Sequence, residues 1–175
     1  MTYGRLFETG KQELEAAGVS EAALDARLLL EFVCGTKRHD LLAHGDRPVE
    51  RAQEERYREL VKQRAARTPL QHITGTQEFM GLDFWVGPEA LIPRQDTEIL
   101  VEEVLRELHD GFRILDLCTG TGCILLSLLH YSNDCAGVGT DLSARALELA
   151  RENARALGEE NAVFVPAALF LVVQI

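Results

Sequence analysis

A short glycine loop stands between an apolar run and a helical pattern in this sequence. Residues 112–117 predict a strand, and Gly120 and Gly122 follow it closely, just before the helical pattern begins. Glycine has no Cβ, so such a loop can turn tightly and let its backbone approach a ligand. The free N–H groups at the start of the next helix can bind polar groups of that ligand. The loop therefore predicts a site for a nucleotide-like cofactor.

Two acids narrow the choice of cofactor. Asp141 ends the next predicted strand, where a carboxylate can accept hydrogen bonds from both hydroxyls of a ribose. A dinucleotide site usually has a third glycine, as Gly-x-Gly-x-x-Gly, but Leu125 stands at that position. Asp116 precedes the loop, where enzymes that use S-adenosylmethionine place an acid near the methionine part of the cofactor. The residues favour S-adenosylmethionine over NAD, with NAD-dependent redox chemistry as the alternative.

The elements around the loop predict the fold. Strand patterns at 112–117, 135–140 and 162–165 alternate with helical patterns at 122–131 and 143–157. Such alternation is typical of a parallel, doubly wound sheet, in which right-handed crossovers bring the strand ends to one edge. We therefore expect an α/β, Rossmann-like fold with a small helical domain and a β-hairpin before it. With the S-adenosylmethionine site that the loop favours, this is a methyltransferase fold, and the family resemblance described below implies that it is incomplete in this chain. The predicted domains are a helical domain at 1–67, a β-hairpin linker at 68–95 and a partial cofactor-binding domain at 96–175.

Composition limits the class of function. The chain has 175 residues, of which 46% are hydrophobic and 26% charged, and its net charge is −10. The first two values are ordinary for a globular protein, and the negative charge argues against direct nucleic-acid binding. No signal-peptide pattern occurs, and no apolar run reaches the ~18 residues that a membrane helix needs. The four cysteines form no Cys-x-x-Cys pair and the histidines are scattered, so we expect no metal site and a reducing, cytoplasmic setting.

A second segment is more specific than the glycine loop. It reads Pro93-Arg-Gln-Asp-Thr-Glu98 and precedes Asp116-Leu-Cys-Thr-Gly-Thr-Gly122. Together with Asp25-Ala-Arg-Leu-Leu-Leu30 and Pro69-Leu-Gln-His-Ile-Thr-Gly75, these motifs resemble the HemK/PrmC family as far as about Phe164. Members of that family are N5-glutamine methyltransferases, which modify the glutamine of the Gly-Gly-Gln motif in peptide chain release factors.

The resemblance implies a role for each matching position. The helical domain would help to dock the release factor, Asp141 would hold the ribose, and Cys118 stands where many relatives have glycine. An alternative for the second segment is structural, with Asp96 or Thr97 capping a helix and Arg94 paired to Glu98. The implied S-adenosylmethionine-binding residues are Asp116, Cys118, Thr119, Gly120, Thr121, Gly122 and Asp141. The residues implied beside the active site are Arg94, Asp96, Thr97 and Glu98.

Departures from the family pattern concern the catalytic step. The family's Asn-Pro-Pro-Tyr motif, which accepts hydrogen bonds from the glutamine amide, does not occur in this sequence. The catalytic residues are therefore unknown, and we expect a C-terminally truncated chain that is inactive alone. Where relatives have an aspartate near the adenine, this chain reads Ala167-Ala-Leu-Phe170. Two further alternatives are a ribosomal-protein glutamine methyltransferase, which the segment 93–98 disfavours, and a non-catalytic protein-binding module on a decayed cofactor fold.

Overall fold

The computed structural model describes residues 1–167, and its contacts divide the chain into two units between Thr74 and Gly75. The first, which we call the helical unit, contains α1 (Tyr3–Ala16), α2 (Ala22–Cys34), α3 (Arg38–Ala43), α4 (Arg51–Ala65) and α5 (Leu70–Thr74). The second, the α/β unit, contains β1 (Thr76–Phe79), β2 (Leu82–Trp85), α6 (Asp96–Glu107), β3 (Arg113–Leu117), α7 (Cys123–His130), β4 (Ala136–Asp141), α8 (Ala144–Leu157) and β5 (Ala162–Pro166).

The helical unit is held together by an apolar core that α1, α2 and α4 share. Leu6 and Leu14 recur at helical spacing on one face of α1, and both are fully buried. Tyr57 and Leu60 form part of the buried stripe of α4, because residues three or four apart share one side of a helix. Gly10 lies between the two leucines, and its missing side chain leaves room for the Tyr57 ring against the backbone of α1.

A buried ion pair joins α2 to α4 in the same unit. The Nε of Arg64 donates to Oδ2 of Asp25 at 2.7 Å, and its Nη1 donates to the Thr68 carbonyl oxygen at 3.3 Å. Asp25 is only 6% exposed, and Arg64 supplies the opposite charge beside it. The acid that opens the motif at 25–30 therefore fastens two helices together.

The α/β unit is built on a parallel sheet with the strand order β3-β4-β5 within residues 1–167. The strands pair in register, with Leu115 beside Val138 and Val138 beside Val163. Parallel neighbours need a crossover connection, which α7 and α8 supply. The predicted α/β fold with a parallel sheet, preceded by a helical segment and a hairpin, is confirmed.

One face of this sheet is covered by α7 and α8. Leu125 of α7, Leu147 of α8 and Phe164 of β5 are buried in the core between helices and sheet. Gly137 and Gly139 of β4 allow this close approach, because a Cβ at either position would overlap with Leu125 or with the ring of Phe164. Glycine in a strand interior is usually unfavourable, and here it marks close packing.

The opposite face of the sheet carries an aliphatic row. Leu115, Val138 and Val163 are 52%, 36% and 55% exposed, and the strand register aligns them across all three strands. Successive side chains of a strand point to opposite faces, so this row lies on the side away from Phe164. We call these three residues the exposed row.

The hairpin lies at the start of the α/β unit and is shorter than predicted. Strands β1 and β2 pair antiparallel, and Phe79 lies opposite Leu82 across a two-residue turn. Met80 and Gly81 form that turn with φ angles of 53° and 71°. Positive φ at both central residues is what a type I′ hairpin turn requires. The hairpin itself is confirmed, but it does not extend over the whole range 71–86.

The prediction of strand structure before Thr76 is wrong, because this stretch forms the short helix α5. The carbonyl oxygen of Pro69 accepts hydrogen bonds from the N–H groups of His72 and Ile73 at 3.1 and 3.2 Å. The Thr74 hydroxyl also donates to the Leu70 carbonyl oxygen at 3.2 Å. The β-branched residues here favour strand structure, but these local hydrogen bonds decide the conformation.

None of the helices within residues 1–167 has both the length and the apolar character needed to cross a bilayer. Residues 168–175 lie outside the described residues. They include most of the segment 167–170 and the last part of the predicted domain 96–175.

We expect Gly10→Ala to destabilise the helical unit although alanine is the better helix former. A Cβ at this position would overlap with the Tyr57 hydroxyl, and such overpacking costs about 1–3 kcal/mol. Chemical denaturation with circular dichroism measures the loss. Tyr57→Phe, alone and combined with Gly10→Ala, completes a double-mutant cycle in which the double variant should lose less than the sum of the single losses. A purely additive cycle would contradict this contact.

Candidate cofactor-binding site

The glycine loop follows β3 at the edge of the sheet where the parallel strands end. Cys118, Gly120 and Gly122 have φ angles of 61°, 56° and 80°, all in the left-handed region. The Thr119 N–H donates to the Thr140 carbonyl oxygen at 2.8 Å, and the Gly122 N–H donates to the Thr119 carbonyl oxygen at 2.8 Å. The loop is therefore anchored on β4 and closed by its own turn. The positive φ of Cys118 is a conformation that glycine adopts more readily than cysteine does.

The two glycines of the loop have different surroundings. A Cβ on Gly122 would lie 3.1 Å from Leu126, 3.2 Å from Ala150 and 3.4 Å from Phe164, so this glycine allows the helices to pack against the sheet. A Cβ on Gly120 would meet nothing closer than 3.7 Å, the distance to the Cβ of Ala90. Close packing therefore does not require glycine at position 120, whereas its left-handed φ of 56° favours glycine.

Asp141, at the end of β4, is hydrogen-bonded to the glycine loop. Its Oδ2 accepts a hydrogen bond from the Gly120 N–H at 3.0 Å, and its Oδ1 accepts one from the Ser143 N–H at 2.9 Å. An ionised carboxylate can accept about four hydrogen bonds, so each oxygen keeps capacity for a further donor. The structure thus brings together the loop and the acid that the sequence places on two different strands.

Asp116 lies beneath the same loop. The Thr119 hydroxyl donates to its Oδ2 at 2.6 Å. Burial raises the pKa of Asp116 above its usual range, and the charge of Asp141 raises it further, while the Thr119 hydrogen bond acts in the opposite direction. Two carboxylates at one sheet edge therefore make the site strongly attractive to a cationic group.

The segment 93–98 lies at the start of α6, and the predicted cap is wrong. Gln95 is the N-cap residue, without a side-chain cap bond, and Asp96 and Thr97 belong to the first turn of the helix. Arg94 and Asp96 are exposed. A cap acts from outside the helical turn, so neither Asp96 nor Thr97 can fill that role here.

Glu98 has a partner other than the expected Arg94. Its Oε1 accepts a hydrogen bond from the Met80 N–H at 2.8 Å, and Arg94–Glu98 is not among the ion pairs of residues 1–167. The Tyr131 hydroxyl donates to the Met80 carbonyl oxygen at 2.6 Å. Glu98 and Tyr131 together fasten the hairpin turn to α6 and to the end of α7. The structure gives Arg94, Asp96, Thr97 and Glu98 no hydrogen bond to the residues of the glycine loop.

Asn153 is a residue at this site that the sequence did not reveal. It is fully buried on the apolar stripe of α8, between the sheet and the hairpin. Its Nδ2 donates to the Thr121 carbonyl oxygen at 2.9 Å and to the Trp85 carbonyl oxygen at 3.1 Å. The sequence signal was an asparagine on the buried side of a helix, among Ala146, Ala150 and Ala154. Because a buried amide needs hydrogen-bond partners, such a residue indicates specific polar contacts in the core.

The sheet, the loop and the strand-end acid together define the class of the second unit. A parallel sheet with a glycine loop after one strand and an acid after the next is a Rossmann-like cofactor-binding domain. Residues 108–170 match the profile of a methyltransferase domain, and residues 5–75 match the PrmC N-terminal domain. These two matches confirm the resemblance of the chain to the HemK/PrmC family.

Curated relatives support the same family. Release factor glutamine methyltransferases from Moorella thermoacetica and Geobacter sulfurreducens are 44% and 39% identical to this chain over 160 and 163 residues. The alignments cover 90% and 93% of this chain but 56% and 57% of the two relatives. The chain therefore spans just over half the length of the curated relatives it matches.

Solved structures with similarity to this chain include two methyltransferases in complex with S-adenosyl-L-homocysteine. The tRNA (uracil-54, C5)-methyltransferase of Pyrococcus abyssi is 25% identical with a TM-score of 0.45, covering 53% of this chain and 23% of that chain. A SAM-dependent methyltransferase from Geobacter sulfurreducens is 26% identical with a TM-score of 0.37, covering 43% of this chain and 30% of that chain.

Gly122→Ala should destabilise the α/β unit more than Gly158→Ala does. Both glycines have positive φ, but a Cβ on Gly158 would have open space around it. The control therefore isolates the cost of the left-handed conformation, about 1–2 kcal/mol, and overpacking at Gly122 should add about 1–3 kcal/mol. Chemical denaturation of both variants measures the difference. Equal losses would contradict the close packing inferred at Gly122.

Asp116→Asn should change how stability depends on pH. Because the pKa of Asp116 is raised in the folded protein, ionisation of its carboxyl lowers the free energy of unfolding. This loss of stability is absent below the usual pKa of aspartate and grows as the pH rises through the raised pKa. The variant should therefore melt at a higher temperature than the native chain near neutral pH, and the difference should shrink on acidification. Asp134→Asn, at an exposed aspartate of the same unit, controls for the lost charge. A difference that stays constant with pH would contradict the burial effect.

Proposed function

We propose that this chain forms the partner-binding and cofactor-binding parts of a release factor glutamine N5-methyltransferase, with S-adenosylmethionine as the cofactor. The observation that carries the proposal is the hydrogen bond between Oδ2 of Asp141 and the Gly120 N–H, which joins the strand-end acid to the glycine loop. The names of the curated relatives supply the reaction and the substrate. The methyltransferase domain match supports the type of chemistry.

The residues of the site fit the parts of S-adenosylmethionine. The free acceptor capacity of Asp141 suits the two ribose hydroxyls, and Gly120 adds no side chain between a cofactor and the loop backbone. Asp116 is a partly buried carboxylate that forms no ion pair with a cation of residues 1–167, so it suits the amino group of the methionine part. When bound, the cofactor supplies a methyl group on a sulfonium centre, which is transferred to a nitrogen.

The nucleophile in the proposed reaction is a glutamine side-chain amide. Its nitrogen lone pair is delocalised into the carbonyl, with the resonance that makes the peptide bond planar. The protein must therefore hold the amide in line with the methyl group and accept hydrogen bonds from its N–H groups. The proposal assigns no residue of this chain to that step. Cys118, Thr119, Thr121 and Gly122 stay proposed cofactor contacts. Arg94, Asp96, Thr97 and Glu98 stay proposed neighbours of the active site.

The helical unit is proposed to bind the release factor. Residues 5–75 match the PrmC N-terminal domain, and Leu24, Phe32 and Leu42 of this unit are 40%, 50% and 81% exposed. Exposed apolar side chains of this size support a protein partner, and the net charge of −10 disfavours direct contact with nucleic acid. Because release factors act in translation, we place the protein in the cytoplasm.

Calorimetric titration with S-adenosylmethionine tests the cofactor site. We expect the chain to bind the cofactor, and Asp141→Asn to weaken binding about tenfold or more, since the charge-assisted hydrogen bonds to the ribose become neutral ones. Asp134→Asn, at an exposed aspartate elsewhere in the α/β unit, is the matched control and should bind like the native chain.

The same titration separates the proposed function from its alternatives. Binding of NADH instead of S-adenosylmethionine would support redox chemistry and overturn the proposal. Binding of a release factor without any binding of S-adenosylmethionine would support a non-catalytic module. Native affinity in Asp141→Asn would contradict the assigned role of the strand-end acid.

A further inference from the structure

Asn153 makes three hydrogen bonds that link two separate parts of the α/β unit. Its Oδ1 accepts from the Trp85 N–H at 2.7 Å, and its Nδ2 donates to the carbonyl oxygens of Trp85 at 3.1 Å and Thr121 at 2.9 Å. The amide therefore pairs with both backbone groups at the end of β2 as a neighbouring strand would. Its remaining N–H group reaches the glycine loop.

Few side chains could make this set of contacts. A side-chain amide has an acceptor oxygen and two N–H donors, whereas a carboxylate lacks the donors and an aliphatic side chain lacks both. Asn153 has no exposed surface and Thr121 is only 2% exposed, so water cannot easily replace the missing partner. Leaving these backbone groups without partners would cost more than the net gain of forming the bonds.

The hairpin is firmly attached at both of its ends. At the turn, Met80 is held by Glu98 and Tyr131, and at the far end of β2, Trp85 is held by Asn153. A segment fastened in this way can serve as a rigid support for the Thr121 carbonyl group. The loop needs such a support because three of its residues have positive φ.

We infer that Asn153 is a positioning residue for the cofactor, acting through the backbone of Thr121 and through the hairpin. By holding the Thr121 carbonyl, it fixes the peptide group between Thr121 and Gly122, whose N–H closes the turn of the loop onto the Thr119 carbonyl oxygen. A loop held in its binding conformation loses less entropy when a ligand binds, so its affinity is higher. This inference rests on the proposed function, because it assumes that the glycine loop binds S-adenosylmethionine.

The test compares the affinity of S-adenosylhomocysteine in four proteins by calorimetric titration. Asn153→Asp keeps the size and the acceptor for the Trp85 N–H but removes both donors, and Asn153→Ala removes all three hydrogen bonds. Val101→Ala is the matched control, because Val101 is fully buried in the same core. This substitution lowers the stability of the unit without removing a hydrogen bond to the loop. Circular dichroism and thermal melting establish that each protein is folded at the temperature of the titration.

We expect Asn153→Asp to bind about tenfold more weakly than the native chain, while Val101→Ala stays within about twofold. A folded Asn153→Asp with native affinity would overturn the inference and leave the proposed function intact. Failure of the native chain to bind would overturn both. If Asn153→Asp does not fold, Asn153→Ala is decisive in the same way.

A spectroscopic measurement separates positioning from a general loss of stability. Trp85 is the sole tryptophan of the chain, so its emission reports on the end of β2. Saturating S-adenosylhomocysteine should change this emission in the native chain and in Val101→Ala, but much less in folded Asn153 variants at saturation. An equal emission change in the Asn153 variants would show that the loop and hairpin communicate by another route, which overturns the inference.

Discussion

The hydrogen bond from the Gly120 N–H to Asp141 depends on how the chain pairs its strands, and the candidate site depends on that bond. Asp141 ends β4 and the glycine loop follows β3, and they meet because the two strands run parallel. Their register extends from the pair Arg113–Ala136 to the pair Leu117–Thr140. A shift by one residue would turn Asp141 to the other face of the sheet. The register is in turn set by packing, since Gly137 and Gly139 admit the helix and the aromatic ring that cover β4.

The same arrangement of strands lowers the stability of the folded protein at the site. Asp116 and Asp141 place two carboxylates at one edge of the sheet, and burial raises the pKa of the first. Such a cost is tolerated where a ligand later supplies compensating groups, which is why perturbed carboxylates cluster at functional sites. The helical unit shows the contrasting solution, because Asp25 is buried beside Arg64 and its charge is already compensated within the fold. Asp25 is compensated within the fold, whereas Asp116 is proposed to gain its partner from the cofactor.

Much of this architecture could be predicted from the sequence, and the failures share a physical cause. The glycine loop, Asp141 and the alternating helices and strands are local patterns that follow from the period of apolar residues and from glycine. The helix at Leu70–Thr74, the N-cap at Gln95 and the bonds of Glu98 and Asn153 depend on local hydrogen bonds or on contacts between residues far apart in the chain. Asn153 and Trp85 are separated by 68 positions, and no periodicity connects them.

The positions of the four cysteines give each part of the fold its own reactivity towards thiol reagents. Cys118 is exposed in the glycine loop, whereas Cys123 and Cys135 are buried in the α/β core, and Cys34 is partly buried in the helical unit. Burial raises the pKa of Cys123 to about 11, so its reactive thiolate is scarce at neutral pH. A mild alkylating reagent should therefore modify Cys118 first, and a bulky adduct there would obstruct the loop. Modification of Cys123 and Cys135 then requires the core to open, so the slower labelling rates report how often the α/β unit unfolds.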